Sequence, residues 1–411
     1  MKHEPGREAT LNGGEIRTAL VAPTPFFTEG GASSRILGEA RGLRSLGATV
    51  RILTYPPGRN WPGLEILRPR ASQRRMGIGF HPARILYDFE LLKFLLALPM
   101  RSGEHLHVFL HEGAALGLLK GRLTQRSFLL DLQGSLVEEV GRTFRFAREG
   151  WLGGLARRIE IALERSASHV IVSSPGLLSA ISARDRIPPD RLHFIPDGVA
   201  TEDFTPSERQ DPELRSRWRL QFGLTDDDVV AIYVGGLSPE QGINDLIRHA
   251  PKMIHECPKL CFLLFGVPTQ LHRFEDYVAQ IRRAGLGKRL QMPGPLHYED
   301  LPLALGSSEI ALTWKHSPPE EANGKIPHYM AAGLPSVALR LPASEYYLGH
   351  NGEFGGVLSQ TVAEAVDAVV SLAGDRSQRL RLGRLARKSA EDRLSLKVAA
   401  SEILRIYREL D

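Results

Sequence analysis

Short apolar runs that end in glycine or a polar loop and lead directly into helix-like sequence recur along this chain, and they restrict its fold more than any other feature. Arg17–Pro23 (RTALVAP) is the first. A run that is apolar throughout, rather than at alternate positions, is the pattern of a strand buried on both faces, as in a parallel sheet covered by helices. A loop, Thr24–Ser34, follows, and the spacing predicts a helix over 33–46. Ile36, Leu37, Ala40, Leu43 and Leu46 keep the 3.6-residue period, while Arg35, Glu39, Arg41 and Arg44 lie largely off that stripe. Gly47 ends the helix, and Thr49–Thr54 is a second strand, which makes a βαβ opening. His107–Gly113, Ser127–Gly134, Ser168–Ser174 and Leu192–Val199 continue the rhythm.

A polar, proline-interrupted stretch over 201–224 then reads as a linker. Beyond it Val229–Gly242, Leu260–Gly266, Leu290–Leu296, Glu309–Trp314 and Ser336–Ala338 repeat the pattern. A chain of 411 residues is long for one core. The expected architecture is therefore α/β, with two doubly wound, Rossmann-like domains: a disordered leader at 1–15, a first domain over 16–203, a second over 204–390, and a closing amphipathic helix over 391–411.

Composition excludes several classes. No run approaches the ~18 uninterrupted apolar residues of a membrane span; Leu91–Met100 is short and carries Lys93. The first fifteen residues are polar, without the apolar core of a secretory signal. Cys257 and Cys261 are the only cysteines, and their spacing lacks partners for a zinc site. Both are expected as reduced thiols in a cytoplasmic protein. Net charge is +5, unevenly placed: residues 1–203 carry 27 Lys+Arg against 21 Asp+Glu, the remainder 25 against 26. A basic first half suits an acidic partner, whether anionic lipid, a lipid-linked phosphate or nucleic acid. Arg68–Arg84 mixes arginines with Met76, Ile78 and Phe80, a composition that suits a membrane surface as well as an exposed loop.

Two stretches concentrate chemistry. Gly30-Gly31 precedes the first helix, where a backbone without Cβ atoms admits a phosphate or sugar close to helix N-terminal amides. It is not GxGxxG, so no nicotinamide or flavin site is indicated. The second stretch is WKHSPPEEANGKIPHYMAAGLPSVA, Trp314–Ala338. It reads as strand end, charged loop, short helix from Lys325 to Ala332, a stop at Gly333, and a new strand. Ligands of open parallel sheets lie beyond the strands' carboxyl ends, where Glu320, Glu321, Asn323 and Lys325 gather. Asp226-Asp227-Asp228 resembles a metal-binding DxD but precedes a strand in a predicted turn, where the acids cap or solvate it.

The Gly-Gly loop with its helix, IPDGV at 195–199, VGGLSPEQGI at 234–243 and HYMAAGLPSV at 328–337 together resemble retaining glycosyltransferases of the GT-B fold, of the sucrose-synthase and mannosyltransferase-like family (family 4 type). The resemblance covers roughly 17–410. It implies two domains facing a central cleft, a final helix crossing back onto the first domain, and transfer of a sugar from a nucleoside-diphosphate sugar without a metal or other cofactor. Glu320 stands where the family's first donor-sugar glutamate belongs. On this resemblance Glu320, Lys325 and His111 are the expected catalytic residues. Gly30, Gly31, Gly235, Gly236, Gln241, Gly266, Leu296, Glu321, Asn323 and His328 are the expected donor-binding set, and Gln133 and Arg35 face the acceptor. The pattern departs at three places: Gly236 and Gln241 replace the usual arginine and lysine, and His328 replaces the second glutamate.

The implied partners are a nucleotide sugar and a glycan or lipid-linked acceptor, as in cell-surface polysaccharide or glycolipid synthesis. Nucleic acid is not expected. Peripheral contact with the inner face of an anionic membrane would run through the basic first half. The alternative, motivated by the three departures, is a non-catalytic clamp that binds a glycan or nucleotide as a partner protein. A sugar-nucleotide epimerase on the same two-domain plan fits the motifs less well.

Overall fold

A computed structural model describes residues 16–28, 30–70, 83–137, 151–183, 187–268, 271–316 and 318–410. The expected leader and most of the Arg68–Arg84 segment lie outside these residues. The first half contains β1 (Arg17–Ala22), α1 (Gly31–Ser45), β2 (Thr49–Thr54), β3 (Glu65–Leu67), α2 (Ala83–Ala97), β4 (Glu104–Phe109), α3 (Leu110–Thr124), β5 (Phe128–Leu132), α4 (Trp151–Ser166), β6 (His169–Val172), α5 (Pro175–Ser182) and β7 (Leu192–Phe194). Its seven strands pair in the order β3-β2-β1-β4-β5-β6-β7, all parallel, with Leu20 opposite Ile52 and His107.

The second half contains α6 (Pro212–Leu220), β8 (Val229–Val234), α7 (Ile243–Glu256), β9 (Leu260–Phe265), α8 (Leu271–Arg283), β10 (Leu290–Gly294), α9 (Leu301–Gly306), β11 (Ile310–Thr313), α10 (Lys325–Ala331), β12 (Ser336–Leu339), α11 (Pro342–Leu348), β13 (Gly356–Ser359), α12 (Val362–Gly374), α13 (Arg376–Arg393) and α14 (Leu396–Leu410). Its six strands are also parallel, in the order β10-β9-β8-β11-β12-β13.

Each sheet is covered on both faces, which is why its strands tolerate no alternation. On one face of the first sheet, Leu37, Ala40 and Leu43 of α1 share a core with Ile403, Leu404 and Tyr407 of α14. Gly42 lets α14 come this close, since a Cβ there would stand 2.6 Å from the Leu396 carbonyl oxygen. On the other face Tyr87, Leu91 and Leu95 of α2 pack with Ala114, Leu116 and Leu177 over Val21, Leu106 and Val108. Side chains of this size each contribute about 1.5–3 kcal/mol when fully buried.

Strand order reverses at β1/β4 in one sheet and at β8/β11 in the other. These switch points open crevices at the strands' carboxyl ends. They bring together the loops after β1 and β4, and likewise the loops after β8 and β11. The chain leaves the first domain at Val199 and returns beside it: Val199 N–H donates to Leu394 O (2.8 Å) and Leu396 N–H donates to Val199 O (3.2 Å).

Several expectations are revised. The 391–411 helix is two elements, because the chain turns at Leu394-Ser395 to pair with Val199. The 201–224 stretch is not simply a linker. Asp211 caps α6 by accepting from the Glu213 and Leu214 amides, Pro212 opens it, and Trp218 and Arg219 are buried. After β4 the helix begins at Leu110, inside the 107–113 run read from the sequence as a strand and its end. Among the described residues no helix is long and apolar enough to cross a membrane.

Candidate functional site

The β8–α7 loop begins at Gly235, whose φ of +153° and close neighbours demand glycine. Gly266, at the end of β9, is held more tightly still: a Cβ there would fall 1.7 Å from the Gly235 carbonyl oxygen. Gly242 has φ +80° and seats the loop against the Trp314 carbonyl at the end of β11. These three glycines serve packing. Gly236 differs, since a Cβ there would meet nothing within 4 Å. The same is true of Gly30 and Gly31, exposed at the start of α1. Gly30, Gly31 and Gly236 therefore present bare backbone to open space.

Lys325, the first residue of α10, reaches back to the β8 tip. Its ammonium donates to Gln241 Oε1 (2.8 Å), lies 3.4 Å from Asn323 Oδ1, and sits 5.3 Å from the Tyr233 ring centroid. Tyr233 in turn donates to the Gly236 carbonyl (2.7 Å), so aromatic face and loop are fixed to each other. Burial, reinforced by the nearby charge of Lys315 and opposed by Glu321, lowers the Lys325 pKa to about 7. Asn323 is buried and anchored by donating to Thr313 Oγ1 (2.8 Å). Glu321 pairs with Lys315 (2.8 Å), and Lys315 also donates to Ala322 O (3.1 Å). The Glu320 carboxylate is half-buried and is bonded to none of the described residues. Its backbone carbonyl accepts from Ser174 Oγ at the cap of α5. Gly176 is packed against Pro319. This loop thus bridges the two domains.

His328 lies one turn beyond Lys325. Its Nδ1 is 2.9 Å from the Gly324 carbonyl, which only accepts, so Nδ1 carries the proton and Nε2 is left as acceptor for the Tyr298 hydroxyl (3.4 Å). Burial lowers its pKa, so the ring is neutral. Tyr298 packs edge-on to Phe27 (5.4 Å) and Trp61 (5.6 Å) of the first domain. The donor-binding expectation for His328 is altered accordingly: the ring is 8% exposed and spans the closed seam instead of facing open space. Leu296 packs into the second domain's core.

Across the gap, Arg35 is not an acceptor-side residue. Its guanidinium is enclosed, donating to Asp131 (2.6 and 2.9 Å), Asp197 Oδ1 (2.9 Å) and the Ile195 carbonyl (3.2 Å), with Glu39 at 3.1 Å. Burial and then Asp131 raise Glu39 well above the usual carboxylate range. Asp197 belongs to IPDGV and lies against Gly324. Arg35 therefore ties the first core to the domain crossing.

Leu110 takes φ +64°, uncommon for a residue with a side chain, and turns β4 into α3. His111 follows, buried, with Nε2 3.5 Å from Glu164 and 3.8 Å from Glu160 of α4. Ser135 Oγ donates to Glu160 (2.7 Å), close behind half-buried Gln133. No contact among the described residues joins His111 or Gln133 to Lys325.

His111, Glu160 and Glu164 bring possible metal-ligating atoms within 4.8 Å of one another, as do Glu39, His107 and Asp131, and His169, His193 and Glu409. None includes the Lys325 neighbourhood. In the Asp226–Asp228 turn, Asp228 caps Thr225 and pairs with Arg289, while Asp226 accepts from Ser216. Sequence reasoning missed Lys315, Tyr233 and Tyr298. Lys315 had a signal, as the first charged residue beyond a buried strand tip. Tyr233, inside an apolar run, and Tyr298, in an unremarkable loop, had none.

Comparison with known proteins agrees with this geometry. Residues 30–198 match the Glycosyl transferase 4-like domain family and 228–375 match Glycosyl transferases group 1. The chain is 29% identical over 143 residues to the phosphatidylinositol N-acetylglucosaminyltransferase GPI3 subunit of Saccharomyces cerevisiae, covering 35% of this chain and 29% of that protein. It is 24% identical over 257 residues to the alpha-D-kanosaminyltransferase of Streptomyces kanamyceticus, 62% of this chain and 64% of that one. These matches span less than two thirds of each relative. Sucrose-phosphate synthase from Thermosynechococcus elongatus superposes with a TM-score of 0.75 at 18% identity, covering 96% of this chain and 99% of that one. The Anabaena protein HepE, solved with UDP and glucose, superposes at 0.73 and 18% identity, covering 96% and 100%.

Proposed function

Because this chain belongs to the GT-B glycosyltransferases of the family 4 type, we propose that it is a retaining enzyme that moves a sugar from a nucleoside diphosphate to a glycan or lipid-linked acceptor. The observation that carries the reading is the Lys325 ammonium, poised over Tyr233 beside the bare backbone of Gly236. Departure of a nucleoside diphosphate builds negative charge, and a fixed cation in a partly dry crevice stabilises it strongly. In this reading Lys325 supplies the charge that a metal ion supplies elsewhere. The Gly30 and Gly31 amides provide further donors, and the Glu320 carboxylate accepts from donor-sugar hydroxyls. His111 and Gln133 stand on the acceptor side.

The test is release of UDP or GDP from a panel of sugar nucleotides, with the anomeric configuration of the product followed by proton NMR. Slow hydrolysis without acceptor is expected, with retained configuration. Glu320→Gln is expected to lower kcat/KM about ten- to a hundredfold, the loss of one charge-assisted hydrogen bond, while UDP affinity is kept. Inverted product would overturn the retaining mechanism. Binding without any hydrolysis, by a chain whose Glu320→Gln variant behaves identically, would make this a clamp and not an enzyme.

A further inference from the structure

We propose that His169, His193 and Glu409 form a binding site for a divalent transition-metal ion, which pins the last turn of α14 to the edge of the first sheet. In the β6–β7 pair Ile171 stands opposite His193, and side chains two apart along a strand share a face. His169, Ile171, His193 and Ile195 therefore point the same way. Ile171 and Ile195 share a core with Ile403 and Leu404 of α14, so both histidines lie on the face that this helix covers. Glu402, Arg405 and Glu409 follow one stripe of α14 at i, i+3 and i+7. One ring nitrogen of each histidine and a Glu409 carboxylate oxygen lie within 4.8 Å of one another. The other two histidine–carboxylate clusters differ. One encloses the Arg35 guanidinium, and the other belongs to His111 on the proposed acceptor side. His169 opens β6 and Leu192 opens β7, at the end of the sheet away from the cleft, so the ion here would be structural. β7 is an edge strand of three residues, where the ladder alone holds least.

His169 Nδ1 lies 2.9 Å from His193 Nε2. Two ring nitrogens this close need a positive centre between them, either a proton or a metal ion. A coordinating imidazole must be neutral. Burial lowers the pKa of both rings, and His169 then lowers that of His193 further, so both are neutral at pH 7. The one proton between them moves to the far nitrogen of its own ring, and two lone pairs then face a single ion. An ion about 2.1 Å from each nitrogen holds them about 3.0–3.4 Å apart at bond angles of about 90–109°, a few tenths beyond the present separation. The rings are splayed by 30°, which leaves room for that opening. Glu409 is exposed and pairs with Arg405, which also holds Glu402 (3.2 Å). Glu409 can thus turn an oxygen to the ion while Arg405 keeps a carboxylate. The charge around the pair favours a cation: Asp190, Glu402 and Glu409 stand against Arg191 and Arg405. Two imidazoles and one carboxylate suit zinc, cobalt or nickel, with water in the remaining positions. The site does not depend on the transferase reading.

The test uses the full chain, free of any affinity tag and stripped with EDTA, titrated with zinc in a calorimeter and with cobalt in a spectrophotometer. One zinc per chain is expected, and cobalt is expected to give a visible absorption band that zinc bleaches. His193→Gln removes a ligand and is expected to weaken zinc by at least the roughly ten- to hundredfold that loss of a ligand's outer partner costs. Glu409→Gln, at an exposed position that folding does not need, is expected to weaken it by at least about tenfold and so keeps the test decisive if His193→Gln misfolds. Zinc is also expected to slow amide hydrogen exchange over 406–410. Failure of both zinc and cobalt to bind more tightly than millimolar would overturn the proposal. Zinc affinity unchanged in His193→Gln and Glu409→Gln would mean an adventitious ion only. Exchange over 406–410 that zinc leaves unchanged would overturn the pinning of α14.

Discussion

If Lys325 faces the leaving diphosphate, nucleotide affinity must fall as pH rises through neutrality. Burial holds the free ammonium at a pKa of about 7, so half of it is neutral at pH 7. At pH 9 only about one molecule in a hundred keeps the charge. A bound diphosphate restores it, since an adjacent anion favours the protonated form. Binding then takes up about half a proton at pH 7 and nearly one at pH 8.5. If the bound pKa exceeds about 9, Kd for UDP weakens some fifty-fold between pH 7 and 9, or about 2.3 kcal/mol. The ligand does not confuse this window, because a terminal phosphate loses its last proton near about pH 6. Isothermal titration in buffers of different ionisation enthalpy reads both the slope and the proton count. Lys325→Arg, permanently charged, should flatten the profile, and Lys325→Met should flatten it at uniformly weak affinity. A wild-type Kd that is level from pH 7 to 9, or a Lys325→Met variant with the wild-type slope, refutes the assignment.

Other expectations follow from the same geometry. Without ligand the pH effect on the fold has the opposite sign: a lysine depressed from 10.5 to about 7 leaves the unfolded chain binding more protons in that interval, so Lys325→Met should remove a rise in urea-unfolding stability between those values. Gly31→Ala, at the first position of α1 with nothing within 4 Å of the added carbon, should leave Tm unchanged or slightly raised yet weaken UDP at least tenfold. Arg35→Met leaves Asp131 and Asp197 buried without their cation and should cost about 3–5 kcal/mol in urea denaturation. Tyr407→Phe removes the hydroxyl between Thr18 (3.0 Å) and His107 (2.9 Å) and should cost about 1–2 kcal/mol, loosening α14.

The doubly wound plan was legible because buried parallel strands announce themselves as unbroken apolar runs, and because Gly47 and Gly333 stop their helices at positive φ. Short edge strands carried no such signal: β3 is three residues long and half-exposed, and β13 begins at a glycine. The candidate site was legible where one loop held several polar residues, as at Glu320–Lys325. It was misread where charge sat on a helix whose surroundings come from distant sequence. Arg35 looked like a surface arginine off the apolar stripe, yet Asp131 and Asp197 lie 96 and 162 residues away. Helical period separates faces, but it does not say whether a polar face meets water or a second buried layer. Here that layer is the domain crossing.

Two of the three departures from the family pattern, Gly236 and Gln241, are linked by this geometry. A lysine at position 241 would stand where Gln241 now accepts from the Lys325 ammonium. With Lys315 already lowering the pKa of Lys325, a third ammonium would push Lys325 further toward neutrality. Gln241 instead offers a carbonyl oxygen, orienting the one cation without competing with it. Gly236 leaves the same corner open, and Tyr233 fills the floor beneath the ammonium. If Lys325 faces the diphosphate, the charge that the family pattern leads one to expect on the β8 loop stands instead at the start of α10, with Glu321 pairing Lys315 behind it. On this argument the missing cations reflect relocation of the diphosphate's counter-charge. The departure with no such replacement is His328, whose single acceptor nitrogen faces Tyr298, so altered recognition of a nucleotide ribose is the expected outcome, read by comparing UDP with 2′-deoxy-UDP in calorimetric titration.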